Sequence, residues 1–164
     1  MNELVGISCL PPLQRYLELR LVNSISDYLE NLLFEKILFP TDLSGYAIKS
    51  LDCIAALPGT RGIILLHVVD GTTYSKRGGT HEKEIENSRL FLEQHKKDLE
   101  ALNLKVRVLV NVITSGNVSH RILEVASAEK VDLIVLGARG RSMVQGPLLG
   151  SVSSAVLHNL IIMF

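Results

Sequence analysis

From residue 36 onward, the chain alternates between continuous apolar runs and apolar residues at helical spacing. KILFP (36–40) is a short apolar run stopped by Pro40. In the following TDLSGYAIKSLDCIAAL, residues Ala47, Ile48, Leu51, Ile54 and Ala55 fall on one helix face. Ser44 stands where an N-cap would, and PGTR (58–61) ends the segment. GIILLHVVD (62–70) is a second continuous apolar run. Strand, helix and strand therefore follow within about 35 residues, the length of a βαβ unit.

The alternation continues. GTTYSKRGGT (71–80) is polar and glycine-rich and reads as a loop. Residues 81–102 predict a long helix, with Ile85, Leu92, Leu99 and Leu102 as its stripe and Phe91 beside it. VRVLVNVI (106–113) is a third strand. Residues 115–130 hold a helix with Val118, Ile122, Val125 and Ala126 inward, and VDLIVLG (131–137) is a fourth strand. SVSSAVLHN predicts a last helix. LIIMF (160–164) has two readings. It is a short fifth strand, or it continues the helix, because Leu157, Leu160 and Ile161 also fit helical spacing.

Strands separated by helices favour parallel pairing through right-handed crossovers. The expected class is α/β: an open parallel sheet with helices on both faces and ligands at the carboxyl ends of the strands. Residues 1–34 lie outside this pattern. Leu13, Leu17, Leu21, Ile25, Leu29 and Leu32 recur mostly every four residues, which predicts an amphipathic helix or two. Its charges, Arg15, Glu18, Arg20, Asp27 and Glu30, are mixed, so the favoured role is packing on the domain or on a second subunit rather than on lipid. The chain thus divides into an N-terminal helical extension, residues 1–34, and a domain over residues 35–164.

Composition sharpens this picture. The chain has 164 residues, enough for one domain with a real core. Apolar residues make up 47% but aromatics only 5%, so Val, Leu and Ile build the core, as buried parallel strands require. Seventeen basic residues balance seventeen acidic ones, which gives no field for nucleic acid or an anionic membrane. No apolar run approaches the ~20 residues of a membrane span. Cys9 and Cys53 make neither a disulfide framework nor a metal cluster, and a reduced, cytoplasmic setting is expected. MNELVGISC lacks the basic start of an export signal.

The candidate chemistry lies in GARGRSMVQGPLLGS, residues 137–151. Gly137 ends a buried strand, Gly140 follows, and Gly150 and Ser151 lead into a helix. Glycines let a backbone approach a ligand, Ser151 can cap the helix, and its first-turn amides at Val152 and Ser153 suit a phosphate. Arg139 and Arg141 could add charge or simply be solvated. No Gly-Lys-Ser/Thr follows, so this is not a Walker motif, and the dinucleotide fingerprint belongs after a first strand. Local physics alone leaves a second reading level with the first: glycines that only make turns.

The spacing Gly-x2-Gly-x9-Gly-Ser resembles the nucleotide motif of the universal stress protein family, in its ATP-binding branch. KILFPTDLS resembles that family's first strand and loop, and ILLHVVD its second strand. VDLIVLGARGRS and LLGSVSSAVL resemble its fourth strand and last helix. The resemblance implies that Pro40, Thr41 and Asp42 shape a pocket after the first strand, with Asp42 close to the nucleoside. It implies that the Val68 backbone reads the adenine edge. It gives Gly137, Gly140, Gly150, Ser151, Val152 and Ser153 the ribose and phosphates, with Arg139 among them. The ligand implied is ATP, with or without Mg or Mn. The implied strand order is 3-2-1-4-5, with a fifth strand that in many relatives pairs across a dimer. Here that strand is expected to be short or missing, and a homodimer is expected to use the N-terminal extension.

Other candidates are weaker. His67 lies in an apolar strand and reads as a hydrogen-bonded core residue. His81, His95, His120 and His158 are scattered without Glu or Cys at ligand spacing. Cys53 reads as core. Asp42 and Ser44 have no nearby histidine in sequence to make a nucleophile. The leading function is an ATP-holding regulatory module of a stress response. The alternatives are a slow ATP hydrolase or α-phosphate enzyme, and a ligand-free interaction protein.

Overall fold

The computed structural model describes residues 3–4, 34–57, 59–71, 81–138 and 149–162. The expected helices over 13–33 lie outside them. The four strands read from the pattern are β2 (Lys36–Pro40), β3 (Gly62–Asp70), β4 (Lys105–Ile113) and β5 (Leu133–Ile134). A fifth, β1, is Glu3–Leu4. The helices are α1 (Gly45–Ala55), α2 (Glu82–Glu100), α3 (Val118–Glu129) and α4 (Ser151–Ile162). The sheet order is β1-β5-β2-β3-β4, and every pairing is parallel. In the numbering of the sequence pattern, this is the expected 3-2-1-4.

Among the described residues LIIMF supplies no fifth strand, in keeping with a strand expected to be short or missing, and another segment fills the fifth position. β1 of the N-terminal extension pairs there, Glu3 with Leu133 and Leu4 with Ile134. Residues 160–162 continue α4 instead. Once Leu157, Leu160 and Ile161 share one helical spacing, propagation adds a hydrogen bond per residue, whereas a strand would first need a turn. The extension is therefore not wholly helical. The fourth strand also forms a shorter ladder than its apolar run suggests. Asp132 N to Lys36 O (2.9 Å) and Val135 N to Leu38 O (2.9 Å) extend its pairing with β2 beyond the two strand residues.

Alternation along the strands divides the core between two faces. Ile37, Phe39, Ile63 and Leu65 point to the face with Leu51 and Ile54 of α1 and Leu92 and Leu99 of α2. Leu38, Ile64, Leu66 and Ile134 point to the other face, against Ile122 and Val125 of α3 and Val156 of α4. Ile37, Leu38 and Phe39 are fully buried. Each such side chain contributes about 1.5–3 kcal/mol relative to exposure. Of the stripe assigned to residues 81–102, Leu92 and Leu99 are buried but Leu102 is 60% exposed. The helix stops at Glu100, and Asn103, at φ 63°, turns the chain into β4, so Leu102 swings outward.

Charged groups fasten the amino end of the sheet. Lys36 Nζ donates to Glu129 Oε2 (2.9 Å) and to the Glu129 carbonyl (2.6 Å). Arg107 donates to the same carboxylate oxygen at 2.7 Å. The Lys36 amide donates to Asp132 Oδ2 at 2.8 Å. These bonds join β2, the carboxyl end of α3 and the entry to β5. The Lys36 and Arg107 hydrogen bonds hold the Glu129 carboxyl below its ordinary value of 4.5. A lowered carboxylate stabilises the fold fully above that value and loses its contribution as pH falls through the folded pKa. Glu129→Gln is thus expected to lower the melting temperature at neutral pH, with the gap to wild type closing as pH falls below 4.5 and through the lowered folded value. Melting curves across pH check this; a gap independent of pH would exclude the charge as its source.

Candidate functional site

β2 ends at Pro40, and the next four residues build a turn from their own side chains. Thr41 Oγ1 accepts from Leu43 N (3.0 Å), and Asp42 Oδ1 accepts from Ser44 N (3.0 Å). Ser44 Oγ accepts from Ala47 N (3.3 Å), so Ser44 is the N-cap of α1, as its place in the sequence suggests. Short polar side chains compete well for nearby amides, and three of them within four residues define this turn. Their grip matters because Leu43 sits at φ 64°, a left-handed conformation that costs a leucine about 1–2 kcal/mol. Its side chain packs against the α1 core, which also helps hold it there.

The turn is tied to β3. Thr41 N donates to Leu66 O at 2.8 Å. His67 is buried, and its Nδ1 lies 2.8 Å from Thr41 O. The carbonyl can only accept, so Nδ1 carries the proton. The core reading of His67 is therefore correct. Counting onward from Pro40↔Leu66 and Leu38↔Ile134, Asp42 is level with Val68 on one side and Ala138 on the other. The Leu66 carbonyl points at β2. Main-chain direction repeats every second residue, so Val68 N–H and C=O point the same way, just beyond the end of β2. The Val68 side chain packs on the α3–α4 face.

The other wall joins the end of the β5 run to the start of α4. Gly150 N donates to Ala138 O at 2.8 Å, and Ser153 Oγ donates to Gly137 O at 2.7 Å. The two flanks of residues 139–148 thus meet. Ser154 N donates to Gly150 O (2.9 Å), so Gly150 holds the cap position and Ser151 opens the first turn. This corrects the reading of Ser151 as the cap. A glycine there leaves the amides of Ser151, Val152 and Ser153 facing out of the helix, without intrahelical acceptors. They carry the positive end of the helix dipole.

The structure thus brings together Pro40, Thr41, Asp42 and Val68 on one side and Gly137, Gly150, Ser151, Val152 and Ser153 on the other. Arg139 and Gly140 lie outside the described residues, as does Arg141. The Ser153 hydroxyl proton is engaged by Gly137 O, so the only donor Ser153 has left for a ligand is its amide. Cys53 is half-buried, not core. Among the described residues, no three His, Cys, Asp or Glu side chains gather to hold a metal, and no helix is long and apolar enough to cross a membrane. Pattern reading missed the left-handed Leu43 and the His67–Thr41 bond. The run of Thr, Asp and Ser was the available signal for the turn; nothing local marks a leucine for φ > 0.

Comparison with known proteins adds to this geometry. Residues 33–163 match the model of the universal stress protein family. The chain belongs to that family. Universal stress protein MJ0577 of Methanocaldococcus jannaschii is 30% identical over 149 residues, covering 77% of this chain and 90% of the relative. The solved MJ0577 structure superposes with a TM-score of 0.67 at 31% identity, over 77% of this chain and 90% of that one. UspA from Lactobacillus plantarum shares the fold at 21% identity, with a TM-score of 0.67 over 78% of this chain and 93% of that one. A universal stress protein solved in complex with cAMP shares it at 19% identity and a TM-score of 0.52, over 77% and 91%.

The loop base generates a direct test. Ser153→Ala removes the donor to Gly137 O in a buried setting and is expected to cost about 1–3 kcal/mol. Denaturant unfolding measures the loss. A change near zero would show that the two flanks are held together without this bond.

Proposed function

We propose that this universal stress protein binds ATP at the carboxyl ends of β2, β3 and β5, as a regulatory module of a stress response. One observation carries the reading. Main-chain groups of Val68 and first-turn amides of α4 flank the point where the strand order reverses. From β2 the chain passes to β3 on one side, and it later returns to β5 on the other. Such a switch point is where open α/β sheets hold their ligands. Val68 would pair with the adenine edge, and Asp42 would lie near the nucleoside. Gly137, Gly140, Gly150 and the amides of Ser151, Val152 and Ser153 would take ribose and phosphates, with Arg139 beside them. Mg or Mn would arrive on the phosphates, as such ions commonly do. The family relative solved with cAMP supports an adenine nucleotide on this fold.

A peptide N–H and C=O side by side suit adenine, whose edge offers an acceptor and a donor. Guanine swaps them and would leave groups unpaired at about 1–3 kcal/mol each. Calorimetry is expected to show ATP binding at least about tenfold tighter than GTP. Equal affinities would remove the base-reading role. Nucleotide extracted from the purified protein separates holding from turnover: ATP supports a binding module, ADP or AMP a slow enzyme.

The protein is further proposed to form a homodimer through its N-terminal extension. The support is β1, which brings the extension to the sheet edge beside β5. β1 ends the strand order, and an edge strand presents main-chain groups with which another chain can pair. Deleting residues 1–33 is expected to halve the mass seen by light scattering. A truncated chain that stays dimeric with unchanged subunit affinity would place the contact elsewhere.

A further inference from the structure

The ladder between β2 and β3 stops at Pro40↔Leu66, although β3 runs on to Asp70. A parallel pair continues by repeating the same two bonds every second residue. After Thr41 N to Leu66 O, the next rung would be Val68 N to Thr41 O, followed by Leu43 N to Val68 O. Both of Val68's would-be partners bond to side chains instead. His67 Nδ1 donates to Thr41 O at 2.8 Å. Leu43 N donates to Thr41 Oγ1 at 3.0 Å. The ladder register accordingly ends at Pro40↔Leu66.

We propose that His67 and Thr41 act as positioning residues that end this ladder early, and so hold the Val68 N–H and C=O available to read the nucleotide's base. The inference rests on the nucleotide reading above and deepens it. Three features make the arrangement specific. His67 is buried, so its donor has to be satisfied within the protein, and the Thr41 carbonyl satisfies it. Thr41 is also buried, so its hydroxyl is held against the turn. Capture of the Leu43 amide by that hydroxyl accompanies the left-handed backbone at Leu43, which carries the chain away from β3. The strain at Leu43 therefore has a consequence at Val68: with Leu43 in extended backbone, its amide could return to the Val68 carbonyl.

His67 and Thr41 point to the α1–α2 face, by alternation with Ile63, Leu65, Ile37 and Phe39. Val68 packs its side chain on the opposite face. The positioning pair thus lies on one side of the sheet, while the main-chain groups it releases lie in the plane at the sheet's end. His67 would never touch the nucleotide, yet it would determine how the base is read.

The test uses His67→Leu, His67→Asn and wild type. Leucine removes the donor. Asparagine keeps an N–H close to the Nδ1 position. In wild type, NMR is expected to show no coupling across a hydrogen bond from Val68 N to Thr41 C′, and the Val68 amide should become protected when ATP is added. In His67→Leu that coupling should appear without ligand, ATP affinity should fall by about tenfold or more, and the preference over GTP should shrink. His67→Asn should restore most of the affinity, which a purely structural role measured well below the melting temperature would not explain. A Val68–Thr41 coupling already present in free wild type overturns the inference without any variant having to fold. Wild type that binds ATP, together with His67→Leu that binds as tightly, overturns the inference alone. Wild type that takes up no ATP overturns the nucleotide reading and this inference with it.

Discussion

The double pairing of β2 is the constraint on which the rest of the structure depends. Its five residues pair on one side with β3, and Ile37 and Leu38 pair on the other with β5. A slip of one residue on either side would turn Ile37, Leu38 and Phe39 to the wrong faces, exposing side chains that are now fully buried. Register here is therefore enforced by the cores on both faces at once. The same register levels Asp42 with Val68 and Ala138. The candidate site has its geometry because the core has its packing.

The two ends of this strand are treated in opposite ways. At the amino end, Lys36 uses both its backbone and its side chain, binding Asp132 and Glu129, with Arg107 sharing the Glu129 carboxylate. At the carboxyl end, side chains of Thr41 and His67 take up main-chain groups that a longer ladder would have used, and Asp42 and Ser44 bond the amides that follow into α1. One end is closed by charge pairing, and the other is held open by short local bonds.

Much of this was legible in the sequence because the signals were periodic. Continuous apolar runs located β2, β3 and β4, and helical spacing located α1 to α4, since both patterns are repeated over several turns or residues. Ser44 was legible as a cap because capping is chemistry of a single side chain. The features that were not legible depend on partners distant in sequence. β1 is only two residues long, and nothing in Glu-Leu distinguishes it until Leu133 and Ile134 lie beside it. The cap position of Gly150 depends on Ala138 closing the loop base. Leu102 fits the helical stripe by spacing but falls past Glu100, where the turn at Asn103 overrides periodicity.

Fold and site are separable in the apolar pattern but not in the hydrogen bonds. Ile37, Leu38 and Phe39 could be exchanged for other apolar residues of similar volume at a modest cost, because burial is non-directional. Thr41 and His67 could not, because each directs one donor or acceptor at one main-chain atom. Neither residue adds much to the core by volume. Both bond where a further rung would lie: a sheet gains a bond with each added rung, so a strand end stays free of its neighbour only where competing partners are within reach. In this chain those partners are a hydroxyl two residues from the amide it captures and an imidazole on the neighbouring strand. That dependence on side chains, rather than on glycine alone, is why the glycine spacings mark only the wall that leads into α4, while the wall at the end of β2 is written in Thr41, Leu43 and His67.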